Sequence, residues 1–125
     1  MSAQPPKLIS PAPVIRHWIT AVNTGNSEAL RACFAEDAVV TDGSRTIRGL
    51  PSIGAWAAHE IFAPRLSMHP ILGREHDDGG DRLVDMLVDG SFDRTDLPDP
   101  LIMTLRFTIA GSRIARLVIT LSQRQ

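Results

Sequence analysis

From Pro13 to Asn23 the apolar residues Val14, Ile15, Trp18, Ile19 and Val22 return at the period of a helix with one buried face. Pro13 suits the first turn, where a missing N–H costs nothing. Thr24-Gly25-Asn26 breaks this pattern, and Asn26 or Ser27 can cap a shorter second helix over Ser27–Phe34 that turns Leu30, Cys33 and Phe34 inward. Beyond Glu36-Asp37 the period falls to two. Ala38-Val39-Val40-Thr41 is β-branched, and Asp42-Gly43 is a tight-turn pair ahead of Arg45-Thr46-Ile47-Arg48, so a hairpin is predicted. Gly49 and Pro51 open a third helix over Pro51–Ile61, with Ile53, Trp56, Ala57 and Ile61 on its inner side and Pro64 beyond its end.

The remainder predicts four long strands, Leu66–His76, Arg82–Phe92, Leu101–Ala110 and Arg113–Ser122, parted by Asp77-Asp78-Gly79-Gly80, Asp93 to Pro100, and Gly111-Ser112. Consecutive strands with short links form an antiparallel meander. The sequence therefore predicts an α+β fold: a cone-shaped, curved sheet of about six strands whose concave face is covered by three N-terminal helices. Three short helices cannot fill such a cone, so a pocket is expected between helices and sheet. With no repeat and no change of composition, residues 13–125 read as one domain and residues 1–12, rich in proline, as a flexible lead-in.

Composition narrows the partners. The chain has 125 residues, enough for one core. With 13 basic and 14 acidic residues and a net charge of -1, it has no bulk attraction for nucleic acid or anionic membranes, and neither is an expected partner. No apolar run approaches the ~20 residues that a membrane-spanning helix needs, and the first thirteen lack the pattern of a secretory signal. The single cysteine, Cys33, excludes an internal disulfide and suits a reducing compartment, so a cytoplasmic location is expected.

Three stretches carry a resemblance. They are Trp18-Ile19 with Val22-Asn23, Gly25-Asn26 and Glu28-Ala29-Leu30, then Phe34 to Val40 with Asp42, then Arg48-Gly49 with Ile53 and Trp56. The chain resembles the nuclear transport factor 2-like superfamily, and within it the SnoaL-like polyketide cyclases and ketosteroid isomerases. The motifs cover roughly Val14 to Ile61. This resemblance implies the cone-shaped fold, cofactor-independent proton abstraction from a small apolar carbonyl compound (isomerase, cyclase or dehydratase type), and a homodimer. It places Asp42 where ketosteroid isomerases keep their general-base aspartate. Trp18 stands where those enzymes have an oxyanion-binding tyrosine, and Met103 near where they have a protonated aspartic acid. Tryptophan offers one donor and methionine none, so steroid isomerisation by that clamp is not expected.

Each candidate residue has a second reading. Asp42 is either a base made stronger by lost hydration or a turn residue that bonds its own backbone. Trp18 and Trp56 either present an indole N–H to a ligand or are simply core. His59, one turn from Trp56, and His69, on the first long strand, either reach the pocket and serve catalysis or binding, or lie at the surface. His17 and His76 read as solvated. Val40, Met103 and Phe107 complete the expected apolar wall. The histidine spacings offer no metal pair, and Glu75 to Asp81 lacks the ligand spacing of a calcium loop, so no metal is expected. Asp85 and Asp89 alternate with Val84, Met86 and Val88, and either set can face the cone. Apolar residues on both faces of Leu101–Phe107 and Ile114–Leu121 suggest that a dimer forms through the outer sheet face. Two functions stay open, an enzyme with Asp42 as base or a non-catalytic pocket for a small apolar ligand, with a purely structural or partner-docking role as a third.

Overall fold

A computed structural model describes residues 12–123. The expected lead-in lies, apart from Ala12, outside the described residues. Helix α1 spans Pro13–Thr24 and buries Val14, Ile15, Trp18, Ala21 and Val22. It stops at Gly25, whose left-handed backbone (φ 69°) lets Asn26 N–H reach back to the Ala21 carbonyl at 2.9 Å. Asn26 then caps α2 (Ser27–Ala32), its side-chain oxygen accepting from Ala29 N–H at 3.0 Å.

Here the structure departs from the expected boundaries. Helix α2 ends at Ala32, and Phe34 is already the first residue of β1 (Phe34–Asp42). The cause is long-range. Strand β6 (Arg113–Leu121) runs parallel beside β1 with Ile114 opposite Phe34, and Ile114 N–H donates to the Cys33 carbonyl at 2.8 Å. A shift of register between Phe34 and Val39 accommodates polar Glu36-Asp37. Strand β2 (Arg45–Arg48) closes the hairpin with β1, Asp42 pairing Arg45.

Helix α3 covers Leu50–Ala57 and widens into a π-helical turn over Ala58–Phe62, in which Ala63 N–H reaches the Ala58 carbonyl at 3.0 Å. Strand β3 spans Ser67–Asp78, β4 Asp81–Asp89 and β5 Leu101–Ala110. Strand β4 stops short of the expected Phe92 because the chain is pulled aside at Gly90-Ser91. Ser91 N–H donates to the Pro64 carbonyl at 2.7 Å, and a Cβ on Gly90 would lie 2.8 Å from the Leu66 side chain and 2.9 Å from the Pro64 carbonyl.

The six strands lie in the order β2-β1-β6-β5-β4-β3, antiparallel except for β1 beside β6. Register shifts between Pro70 and Glu75, and between Thr108 and Ile109, accompany the curvature. Val84, Met86, Val88, Leu105, Phe107 and Leu117 of the concave face pack on Ile15, Trp18, Ile53 and Ile61 of the helices. Asp85 therefore faces outward. There it accepts from Thr104 Oγ1 (2.6 Å), Arg74 Nε (2.9 Å) and Ser122 Oγ (3.3 Å). Burial works against its charge, but these bonds and the Arg74 guanidinium outweigh it and hold the carboxyl below its ordinary range. Asp81, bonded by Thr108 and Arg106, is likewise held low. This ladder occupies the middle of the outer face, which is consequently less apolar than the sequence suggested, although Leu87 is exposed there.

Candidate functional site

On β1 the alternation Ala38, Val40, Asp42 points inward, and the first two are fully buried. Asp42, the last residue of the strand, comes out where the cover of the helices ends. It borders a cleft of about 430 Å³ with Trp56, His59, Ile61, Met68, Met103 and Ile119 among its lining residues. Most of the wall is apolar. The loop between β4 and β5 contributes Phe92 and Leu97, because the pull at Gly90 folds that loop back over the cleft.

Asp42 does not spend its carboxylate on its own turn. Its Oδ2 accepts from the indole Nε1 of Trp56 at 3.0 Å, and among the described residues this is the carboxylate's one hydrogen bond. Trp56 is 4% exposed, held by α3 between the hairpin and the π-turn. The π-turn puts His59, exposed, and Glu60 at the rim, where Arg45 Nη1 meets Glu60 Oε1 at 2.8 Å. Among the described residues, Asp42 takes part in no ion pair and no lysine or arginine lines the cleft.

Of the other expected site residues, Met103 alone lines this cleft. Trp18 is 0% exposed and packs edge-on to Phe107, ring centroids 5.7 Å apart, so both belong to the core, as does Val40. The Trp18 indole N–H is buried without an acceptor among the described residues. His69 is exposed on β3 and does not line the cleft; His17 and His76 are exposed too. Sequence reasoning missed the Trp56–Asp42 bond, Glu60, and the β4–β5 loop. A lone aromatic, Phe92, inside a polar and proline-rich loop was the available signal for the last of these.

A second recess, about 710 Å³, lies by the other end of β1, lined by Val14, Cys33 and Ile109 with His17 and Arg113. It is larger but holds no carboxylate among the described residues, and burial pushes the Cys33 thiol up, away from reactivity. No group of three His, Cys, Asp or Glu suited to a metal ion occurs among the described residues. Nor is any described helix long and apolar enough to cross a membrane. The chemistry available to the first cleft is a carboxylate, steadied through one oxygen by a neutral donor and facing apolar walls.

The sequence matches the SnoaL-like domain family over residues 15–117. A solved protein from Sinorhizobium meliloti, provisionally named a polyketide cyclase, is 31% identical, with a TM-score of 0.75 over 86% of this chain and 93% of that one. Two further neighbours share the fold. A Mycobacterium tuberculosis protein in complex with estradiol-17β-hemisuccinate is 14% identical, with a TM-score of 0.70 over 88% of this chain and 92% of that one. The Anabaena orange carotenoid protein binding canthaxanthin is 20% identical, with a TM-score of 0.71 over 90% of this chain and 37% of that one. No curated protein matches the sequence.

Proposed function

The chain belongs to the SnoaL-like domain family, and from that premise we propose that its cleft takes a small, largely apolar carbonyl compound and that Asp42 is the general base acting on it. Asp42 removes a proton from the carbon next to the carbonyl. The C–H electron pair moves into the carbonyl to give an enolate, and Asp42 holds the proton until it is returned at another carbon or lost as the enolate attacks or eliminates. The observation that carries this reading is the arrangement of the carboxylate itself: Trp56 engages Oδ2, and Oδ1 has no partner among the described residues. The indole fixes one oxygen and so aims the other, which reduces the reorganisation needed for proton transfer. Neighbours that hold estradiol-17β-hemisuccinate and canthaxanthin support an apolar occupant of this fold.

A second reading, binding without turnover, draws on the cleft's shortage of donors. Met103 offers none, Trp56 has given its N–H to Asp42, and Trp18 keeps its N–H in the core. His59 at the rim is the donor left to an enolate oxygen. The two readings part on one experiment. Apolar ketones and enones are screened by thermal shift, and the hits are followed for turnover and for solvent-deuterium exchange at the α carbon. Asp42→Asn should cut that exchange at least about tenfold. Full exchange in Asp42→Asn removes Asp42 as base, and ligand stabilisation with no exchange in either protein establishes the binder.

A further inference from the structure

Among the described residues, the carboxylates Asp42 and Glu60 are the charged side chains that line the cleft, beside the imidazole of His59. Asp42 lies at its edge with only a neutral hydrogen bond, Glu60 stands at the rim paired with Arg45, and no lysine or arginine lines the cleft among the described residues, Arg94 lying over the Phe92 ring but paired with Asp89. A neutral apolar ligand that fills this space strips water from the Asp42 carboxylate and gives nothing back, whereas a ligand with a cationic head replaces the lost hydration by direct attraction. The low-dielectric walls, Phe92 and Leu97 among them, strengthen that attraction. We propose that the preferred occupants are amphiphilic cations: an apolar body of small-molecule size carrying an amine or quaternary ammonium group, seated with the positive head against Asp42. This inference rests on the reading that the cleft is the ligand site, and adds the charge of the ligand to it. Carboxylate ligands are disfavoured by the same field.

Three probes with one phenethyl body separate head-group charge from shape: phenethyltrimethylammonium, 4-phenylbutan-2-one and 3-phenylpropanoate. Their affinities for the full chain are measured by calorimetry and by protein NMR at fixed low salt. The cation should bind at least tenfold more tightly than the ketone, equivalent to about 1.4 kcal/mol, with the acid weakest of the three. In Asp42→Asn, which keeps the shape of the side chain, the gap between cation and ketone should shrink to threefold or less. Should the wild-type protein bind the ketone as tightly as the cation, the inference is overturned while the carbonyl reading stands. A cation preference that persists undiminished in a folded Asp42→Asn also overturns it, since the charge at position 42 would then not be its source. Binding of none of the probes at millimolar concentration overturns both readings of the cleft.

Discussion

The two tryptophans invite a paired test, because they are chemically identical and energetically opposite. Replacing either by phenylalanine removes about 40 Å³ of side chain, and at roughly 24 cal/mol per Å³ of cavity the loss is about 1 kcal/mol. At position 56 the substitution also deletes the 3.0 Å hydrogen bond to a carboxylate, worth about 1.5–3 kcal/mol, so Trp56→Phe should destabilise by about 2.5–4 kcal/mol. At position 18 the indole N–H is buried with no acceptor among the described residues. Removing it relieves a desolvation cost of about 1–3 kcal/mol, which offsets or exceeds the cavity, and the new phenyl ring keeps an aromatic contact with Phe107. Trp18→Phe should therefore be neutral or stabilising. Urea unfolding followed by circular dichroism, with slopes checked for equality, gives both values on one scale. Were Trp18→Phe to cost as much as Trp56→Phe, the indole at position 18 would have a partner and the reasoning would be wrong.

Three more expectations follow from particular contacts. Gly90→Ala forces a Cβ against the Pro64 carbonyl and the Leu66 side chain, so it should lower stability by about 1–3 kcal/mol. Because the same bend carries Phe92 into the cleft, probe affinity should fall with it, and a variant of unchanged stability and affinity would refute the docking of that loop. Asp85→Asn should cost about 1–3 kcal/mol at neutral pH through its weakened bonds to Arg74, Thr104 and Ser122. Since the folded carboxyl sits below its ordinary value near ~3.9, that stability is present above the unfolded value and is lost as pH falls through the folded one. The gap between wild type and variant, read from urea titrations, should accordingly close below about pH 4; a gap unchanged at pH 3 would contradict it. A homodimer through the outer sheet face should give twice the chain mass in light scattering at high micromolar concentration, and a monomer there would remove it.

Much of the fold was legible because burial writes a period into the chain. The stripe Val14, Ile15, Trp18 and Val22 and the alternation through Val84, Met86 and Val88 each have one solution once a single core must be built. What escaped was non-local. Whether Phe34 ends a helix or begins a strand is settled by Ile114, eighty residues on, whose N–H needs the Cys33 carbonyl. The outward face of Asp85 was likewise undecidable until Arg74, Thr104 and Ser122 came together around it. At the site, the position of Asp42 beside a cavity was readable from resemblance, but its partner was not. Trp56 is fourteen residues away on another element, and only the crossing of α3 over the hairpin brings its N–H to the carboxylate.

The charge of the cleft bears on the chemistry that Asp42 can do. Abstracting a proton from a neutral ketone moves the negative charge from Asp42 to an enolate oxygen, and that oxygen must find donors. Here Met103 supplies none and the Trp18 N–H is kept in the core, so the enolate would rely on His59. Losing a single preorganised donor costs on the order of 10²–10³ in rate, which makes a plain ketone a poor substrate. A carbonyl compound that also carries an ammonium group behaves differently. Its cationic head is drawn to Asp42 in the ground state. Once the proton has passed to Asp42, the protein's carboxyl is neutral and the ligand carries its own compensating charges, so the step removes a charge from the apolar wall. On electrostatic grounds, then, α-proton exchange in an amino ketone should outrun that in the deamino ketone of the same skeleton. Equal rates for the two, each measured at saturating ligand and compared with the uncatalysed exchange, would show that the negative cleft governs binding alone and leaves the reaction untouched.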